Sequence, residues 1–258
     1  MIIDIPSLSF CITCKNRFHQ VQHTLLKNLG DNRMYKHLIE FVLVDFGSKD
    51  GLQDWIKNNC IKYIKEGYLK YYYTDELTHW HASIAKNTAH IYASNSLLVN
   101  LDCDNFTGPN GGKYLIRQFM KLGEGIVLHQ FSGDFKDGSY GRIAVHRKYF
   151  MAIRGYDESF EPMAYQDLDL IKRLLKSGLK YILIPDTRYN KAIRNTTTDS
   201  MKNTNSELEW AQMDLINKIR SDTNALEARI RANNNGFGIC KNIYDIYGNP
   251  ALKKTLYE

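Results

Sequence analysis

What the chain lacks narrows its class before any motif is read. No apolar run in its 258 residues approaches the ~20 needed to span a bilayer, so no transmembrane helix is expected. Met1–Phe10 carries Asp4 and Pro6 and shows no basic stretch leading into an apolar one, so no secretory signal is expected. Five cysteines, an odd number thinly spread, argue for a reducing compartment and against a disulfide scaffold. Cys11 and Cys14 spell C-x-x-C, but no second pair completes a zinc site, and Cys11 falls in a strand-like run rather than at a helix start. There is no basic stripe, only mild clusters near Lys148 and at Lys253–Lys254, so no nucleic-acid partner is expected. No internal repeat is visible. No G-x-G-x-x-G follows the first strand, where the chain reads Thr13-Cys14-Lys15-Asn16-Arg17, which excludes a Rossmann-type dehydrogenase. A nucleotidyltransferase would want a Gly-rich basic loop at the same place.

What is present suits a globular protein with a real core. Hydrophobic residues make up 43% and charged ones 24%, and 34 basic against 28 acidic side chains leave a net charge of +6. Fully apolar or nearly apolar runs at Ser7–Thr13, Ile39–Val44, Leu69–Tyr73 and Ser96–Leu101 predict buried strands. Helical patterns separate them: Phe18, Val21, Leu25 and Leu29, stopped at Gly30; then Leu52–Asn59 and Ile84–Ala93. This alternation predicts an α/β fold with a mostly parallel sheet flanked by helices. Further on, helices are expected at Tyr114–Leu122, Arg147–Ile153 and Asp167–Ser177, and strands at Gly125–His129, Arg142–Val145 and Tyr181–Ile184. Asn190–Ser206, rich in Asn and Thr, reads as a loop or lid. Leu208, Ala211, Leu215 and Ile219 mark an amphipathic helix, with Leu226 and Ile230 extending it, whose apolar side is expected to pack on the main domain. The expected division is 1–205 as one domain (1–104 and 105–205 as its halves) and 206–258 as a helical appendage.

Ligands of parallel sheets bind beyond the carboxyl ends of the strands. Three polar clusters fall there: Thr13–Arg17, Asp45–Asp50 and Asp102–Asp104. Asp102-Cys103-Asp104 is a D-x-D, able to offer oxygen ligands to Mg²⁺ or Mn²⁺ shared with substrate phosphates, or simply to form a solvated turn. Asp45 can accept hydrogen bonds from a base or ribose, or cap a turn. Lys15 and Arg17 can hold a phosphate.

Phe10–Arg17 (FCITCKNR), Phe41–Gly51 (FVLVDFGSKDG), Ala85–Asn87 (AKN) and Leu98–Asp104 (LVNLDCD), in this order, resemble the GT-A glycosyltransferases of the family 2 type. Gly141–Leu175 is similar to the carboxyl-terminal segment of β-1,4-galactosyltransferases and bacterial chondroitin-polymerase domains. Those carry G-x-x-A-x-x-x-x-x-F-x-x-I-x-G followed eleven residues later by an acidic cluster, here Gln166-Asp167-Leu168-Asp169. The resemblance covers roughly residues 7–190. It implies inverting transfer of a sugar from a UDP-sugar donor to a glycan or glycolipid acceptor, with Mn²⁺ or Mg²⁺. It further implies that Thr13, Lys15, Arg17, Asp45, Lys86 and Asp102 hold the nucleotide-sugar, that Asp104 and Asp102 ligate the metal, and that Asp167 is the general base. Phe160, Met163 and Tyr165 would hold the acceptor, and Asp169 would support it.

The chain departs from that pattern in three ways. Gln166 stands where the family has Glu. The stretch before it reads Glu161–Tyr165 in place of a Trp- and Gly-rich one. The metal-binding His after the last strand is absent, leaving Asn190 as the expected third ligand, with His79, His81, His129 and His146 as other candidates. Lys191 and Arg194 would close over the diphosphate. These departures keep open a second reading, a UDP-sugar-binding module without turnover. A cytoplasmic protein is expected, at most peripheral to the inner membrane face, with a homodimer possible in principle.

Overall fold

The structure is a computed structural model that describes residues 5–234 and 236–252; the Lys253–Lys254 cluster lies outside them. In chain order the elements are β1 (Leu8–Cys14), α1 (Phe18–Asp31), a 3-10 turn (Arg33–Tyr35), β2 (Ile39–Asp45), α2 (Leu52–Asn59), α3 (Ile61–Lys65), β3 (Leu69–Tyr73), α4 (Ala82–Tyr92) and β4 (Leu97–Asn100). There follow α5 (Gly111–Leu122), β5 (Ile126–His129), β6 (Ile143–His146), α6 (Arg147–Ala152), α7 (Gln166–Lys176), β7 (Lys180–Leu183), α8 (Thr197–Met201), α9 (Trp210–Leu226) and β8 (Tyr244–Asp245).

The strands form one sheet in the order β7-β5-β6-β4-β1-β2-β3-β8. β4, β1, β2 and β3 are mutually parallel, as are β5 and β7, while β6 runs antiparallel to β4 and β5, and β8 to β3. β1 and β2 are buried at every residue, which is why their sequences are mostly apolar rather than alternating, and the buried Ser9 and Glu40 that interrupt them bond each other. One core lies on each face. Phe10, Leu25, Leu29 and Phe41 belong to one, and Cys11, Val42, Ala89 and Phe150 to the other. Helix α4 crosses the second face with ten of its eleven residues buried, among them the polar Lys86, Asn87 and His90. The chain passes from β1 outward to β3 and then returns to place β4 on β1's other side. The crevice at this reversal, beyond the carboxyl ends of β1 and β4, is where a ligand is expected, and Asp102 and Asp104 lie there.

Some expectations need correction. α1 continues one residue beyond Gly30, α3 was not foreseen, and the Asn190–Ser206 segment contains the short helix α8. The segment after residue 205 is not helical throughout, because β8 joins the sheet edge against Tyr72 and Tyr73. α9 forms, but turned about: Met213, Asn217, Ser221 and Asn224 are its buried residues, while Leu215, Ile219 and Leu226 are exposed. The surface beneath α9 is made of backbone carbonyls and carboxylates. Asn217 Nδ2 donates to the carbonyls of Met163 and Ala164 at 2.9 Å, Ser221 Oγ donates to Asp169 at 2.8 Å, and Asn224 Nδ2 donates to Asp157 at 3.1 Å. Buried acceptors need donors, so the polar stripe faces in. No helix among the described residues is long and apolar enough to cross a membrane.

Candidate active site

A cavity of about 690 Å³ opens beyond the ends of β1 and β4. Its wall includes Thr13, Lys15 and Arg17 after β1, Lys86 from α4, Asp102–Asp104 after β4, Gly141 before β6, Met163, Gln166 and Asp167 at the start of α7, and Asn195–Thr197 with Asn203 from the α8 segment. The D-x-D pair and the expected base therefore share one chamber.

Lys86 joins them. Its buried Nζ donates to both oxygens of Asp167, at 2.7 and 2.9 Å, and lies 3.8 Å from Asp102 Oδ1. Burial alone would lower this ammonium's pKa, but the carboxylates of Asp102 and Asp167 outweigh it and hold it above the ordinary lysine value. Gly141 is required here because a β-carbon on it would come within 2.7 Å of Asp102 Oδ2, 3.2 Å of Lys86 Nζ and 3.4 Å of Asp167 Oδ2. Neighbouring Asn87 serves the scaffold. Its amide accepts from Tyr156 N–H and donates to Tyr156 O, bracing the turn at Gly155, whose φ of +65° places it in the left-handed region. That turn carries the chain from α6 toward α7.

Asp104 is nearly enclosed. Its carboxylate accepts from the amides of Asn105 and Asn195, and Arg17 Nη1 stands 4.0 Å away. Burial, and then the facing charge of Asp102, push its pKa up to about 6. Two neighbouring carboxylates, the nearly enclosed Asp104 with Arg17 4.0 Å away and the more open Asp102 with Lys86 3.8 Å away, are a setting that a divalent cation relieves. Among the described residues no group of three or more His, Cys, Asp and Glu side chains could hold a metal. The protein thus offers the carboxylates of Asp102 and Asp104, while Asn195 holds Asp104 by donating to it and accepts from Gln20 through its oxygen. That sparse oxygen set fits Mg²⁺ or Mn²⁺, which keep waters and take phosphate oxygens.

Several expected residues are not on the cavity wall. Asp45 is fully buried beneath its loop, accepting from Ser48 N–H at 2.9 Å and Tyr71 O–H at 2.8 Å. Burial raises its pKa against those bonds. Asn190 is buried beside the strap that Arg142 makes to the carbonyls of Tyr189 and Lys191, while Asn195, five residues on, faces Asp104. Tyr165 accepts from Lys172 through its hydroxyl. Asp169 pairs with Arg173 at 2.7 Å and accepts from Ser221, so it anchors α7 and α9. Phe160 is buried core.

The four histidine candidates are also off the wall. His81 and His146 cap α4 and α6, His129 sits between Tyr140 O and Tyr181 Oη, and His79 lies beside the Thr78 hydroxyl. Of the acceptor residues Met163 does line the cavity, its Sδ accepting from Trp80 Nε1. Trp80, Trp210, Phe135 and Asn195, which sequence reasoning missed, line it too. Lys191 and Arg194 do not. The residues that cover the donor side are instead Asn195 and Asn203, the latter donating to Lys15 O at 3.0 Å.

Residues 9–175 match the sequence profile described as Glycosyl transferase family 2. That match spans well over half of the chain, and the chain belongs to this family. No curated protein matches it. Among solved structures it is similar to the mannosyltransferase PcManGT from Pyrobaculum calidifontis in complex with GDP-Man and Mn²⁺. The TM-score is 0.58 at 17% identity, covering 71% of this chain and 56% of that one. It is also similar to S. aureus TarS 1–349, with a TM-score of 0.59 at 14% identity, covering 81% of this chain and 69% of that one. This chain thus spans just over half the length of the mannosyltransferase. The architecture is the GT-A fold, and the family 2 domain makes up residues 9–175 of it.

Proposed function

We propose that the protein moves a hexose of the Gal, GalNAc, Glc or GlcNAc type from a UDP-sugar to a hydroxyl of a glycan acceptor, with inversion and with Mn²⁺ or Mg²⁺. The observation that carries this reading is the contact of one buried ammonium, Lys86, with Asp167 while it stands 3.8 Å from Asp102 in the same cavity. Asp102 and Asp104 would hold the cation, with Asn195 positioning Asp104 by donating to it; when bound, the cation neutralises charge on the leaving diphosphate. Lys15 and Arg17 add positive charge on the donor side. Lys15, on the cavity wall, already donates to the carbonyls of Phe46 at 2.6 Å and Leu77 at 3.0 Å, which fixes its amine.

Asp167 is left to take the proton from the acceptor oxygen as that oxygen attacks the anomeric carbon. The likeness of Gly141–Leu175 to galactosyltransferase segments motivates the same assignment. Stereochemistry follows from the count of carboxylates. Asp102, Asp104 and Asp167 are the acidic residues on the cavity wall among the described residues. With two engaged by the cation, one remains as base and none as a covalent nucleophile, which favours single displacement. The rim of Trp80, Met163, Trp210 and Phe135 suits the apolar face of an acceptor sugar.

A panel of UDP-sugars and GDP-mannose, incubated with the protein in Mn²⁺ or EDTA, tests the reading without an acceptor. Slow metal-dependent hydrolysis of one UDP-sugar is expected. Turnover of GDP-mannose alone would reassign the donor. Binding of a donor with no hydrolysis, and no transfer to any member of a glycan array, would favour the module without turnover.

A further inference from the structure

Helix α9 presents an apolar stripe to solvent. Leu215 and Ile219 are each 58% exposed and Leu226 is 89% exposed. At roughly 100° per residue these three lie within about 40° of one another, opposite the polar stripe that docks on the domain. The charges on the helix are balanced: Lys218 and Arg220 against Asp214 and Asp222. A neutral helix of alternating sign does not suit an anionic lipid surface, which attracts an excess of Lys and Arg.

The stripe is instead symmetric about position 220. Leu215 and Leu226 lie about 7.5 and 9 Å from it along the axis, on opposite sides, and Lys218 and Asp222 lie about 3 Å from it on opposite sides. We propose that a second copy of this chain docks antiparallel on α9, about a two-fold axis level with Arg220. Leu215 then meets the partner's Leu226, Ile219 packs beside its own symmetry mate, and Lys218 faces the partner's Asp222, twice over. Such isologous, self-complementary patches are the rule for two-fold dimers. Arg220 itself stays with its own domain, paired with Glu161 at 3.8 Å and donating to Ser159 O. Asp222 already accepts from Lys172 at 2.8 Å, which leaves its second oxygen for the partner's lysine.

Sedimentation equilibrium on the full chain tests the pairing. The wild type is expected to dimerise. Ile219→Glu, which acts twice per dimer, is expected to raise the dissociation constant about a hundredfold. Lys218→Glu alone and Asp222→Lys alone should each weaken self-association. Mixing these two variants should restore it as a heterodimer, because each then supplies the charge the other lacks. Thermal melting of each variant separates lost pairing from lost folding. A wild-type protein that stays monomeric at about 100 μM, near the effective range of weak protein contacts, overturns the proposal. So does a dimer insensitive to Ile219→Glu, or a monomer that sediments with anionic vesicles through the same stripe.

Discussion

Lys86 is the side chain that joins the Asp102 and Asp167 walls of the cavity, the donor and acceptor sides in the proposed function. With its ammonium shared between Asp167 and Asp102, replacing it by methionine would leave two nearby carboxylates without their buried counter-charge. Asp167→Asn keeps size and removes the capacity to take a proton. Turnover is expected to fall by about 10²–10⁴-fold, while donor affinity stays within a few-fold, as read by transfer assays beside calorimetric donor binding. A second residue-scale prediction concerns His90. It is stacked on Phe150 at 4.6 Å and donates through Nδ1 to Lys86 O. Burial depresses its pKa to about 3. The unfolded chain takes up this proton near pH 6.5 and the folded protein only near pH 3. Its contribution is therefore complete above pH 6.5 and is lost as pH falls through that window, by up to about 1.4 kcal/mol per pH unit. Urea unfolding at pH 7 and pH 5 should show a smaller loss for His90→Phe than for the wild type; equal losses would remove His90 from the account.

At the scale of elements, the part of the cavity proposed to take the acceptor depends on how α9 holds the segment before α7. Asn217 donates to the carbonyls of Met163 and Ala164 and accepts from Glu161 N–H at 2.6 Å. Asn217→Ala leaves these buried groups unpaired, so it should cost about 1–3 kcal/mol in urea titration and raise the acceptor KM more than the donor KM. Gly141→Ala acts differently. Its new β-carbon meets the ends of flexible side chains, so the fold should survive with a nearly unchanged melting temperature. The displacement of Asp102, Lys86 and Asp167 should lower turnover by about 10–100-fold.

The elements also show what was legible beforehand. β1, β2, α2 and β3 fall within about a residue of their expected bounds, because two wholly buried strands, a half-buried aromatic one and a strongly amphipathic helix write their burial into composition. α3 has no buried residue, and β8 is two residues of edge pairing, so neither leaves a pattern. α9 left the right pattern with the wrong reading, since periodicity locates an apolar stripe but not which side meets the domain.

Over the whole molecule, the carboxylates that share the cavity come from stretches far apart in sequence, and it was the resemblance to family 2 enzymes, carried by the order and spacing of short motifs, that nominated them. Direction was not in the sequence. Asp45 and Asp169 stand next to the site in the chain but turn their side chains into buried bonds, Tyr165 bonds Lys172, and Asn190 is buried away from the cavity wall. Trp80, Asn195 and Trp210 reach the cavity from segments whose composition marks only loops and a helix start. A lone Asn in a run of Asn and Thr carries no signal, and its meeting with Asp104 is made by the return of the chain after β7, where Asn105 and Ala192 form an isolated bridge. Calorimetric titration of UDP into the wild type and Asp104→Ala, in Mn²⁺ and in EDTA, tests the central claim most directly. The account predicts binding at least about tenfold tighter with Mn²⁺ for the wild type, a difference of about 1.4 kcal/mol, and no metal effect for the variant. Equal wild-type affinity with and without metal, or an undiminished metal effect in Asp104→Ala, would contradict it.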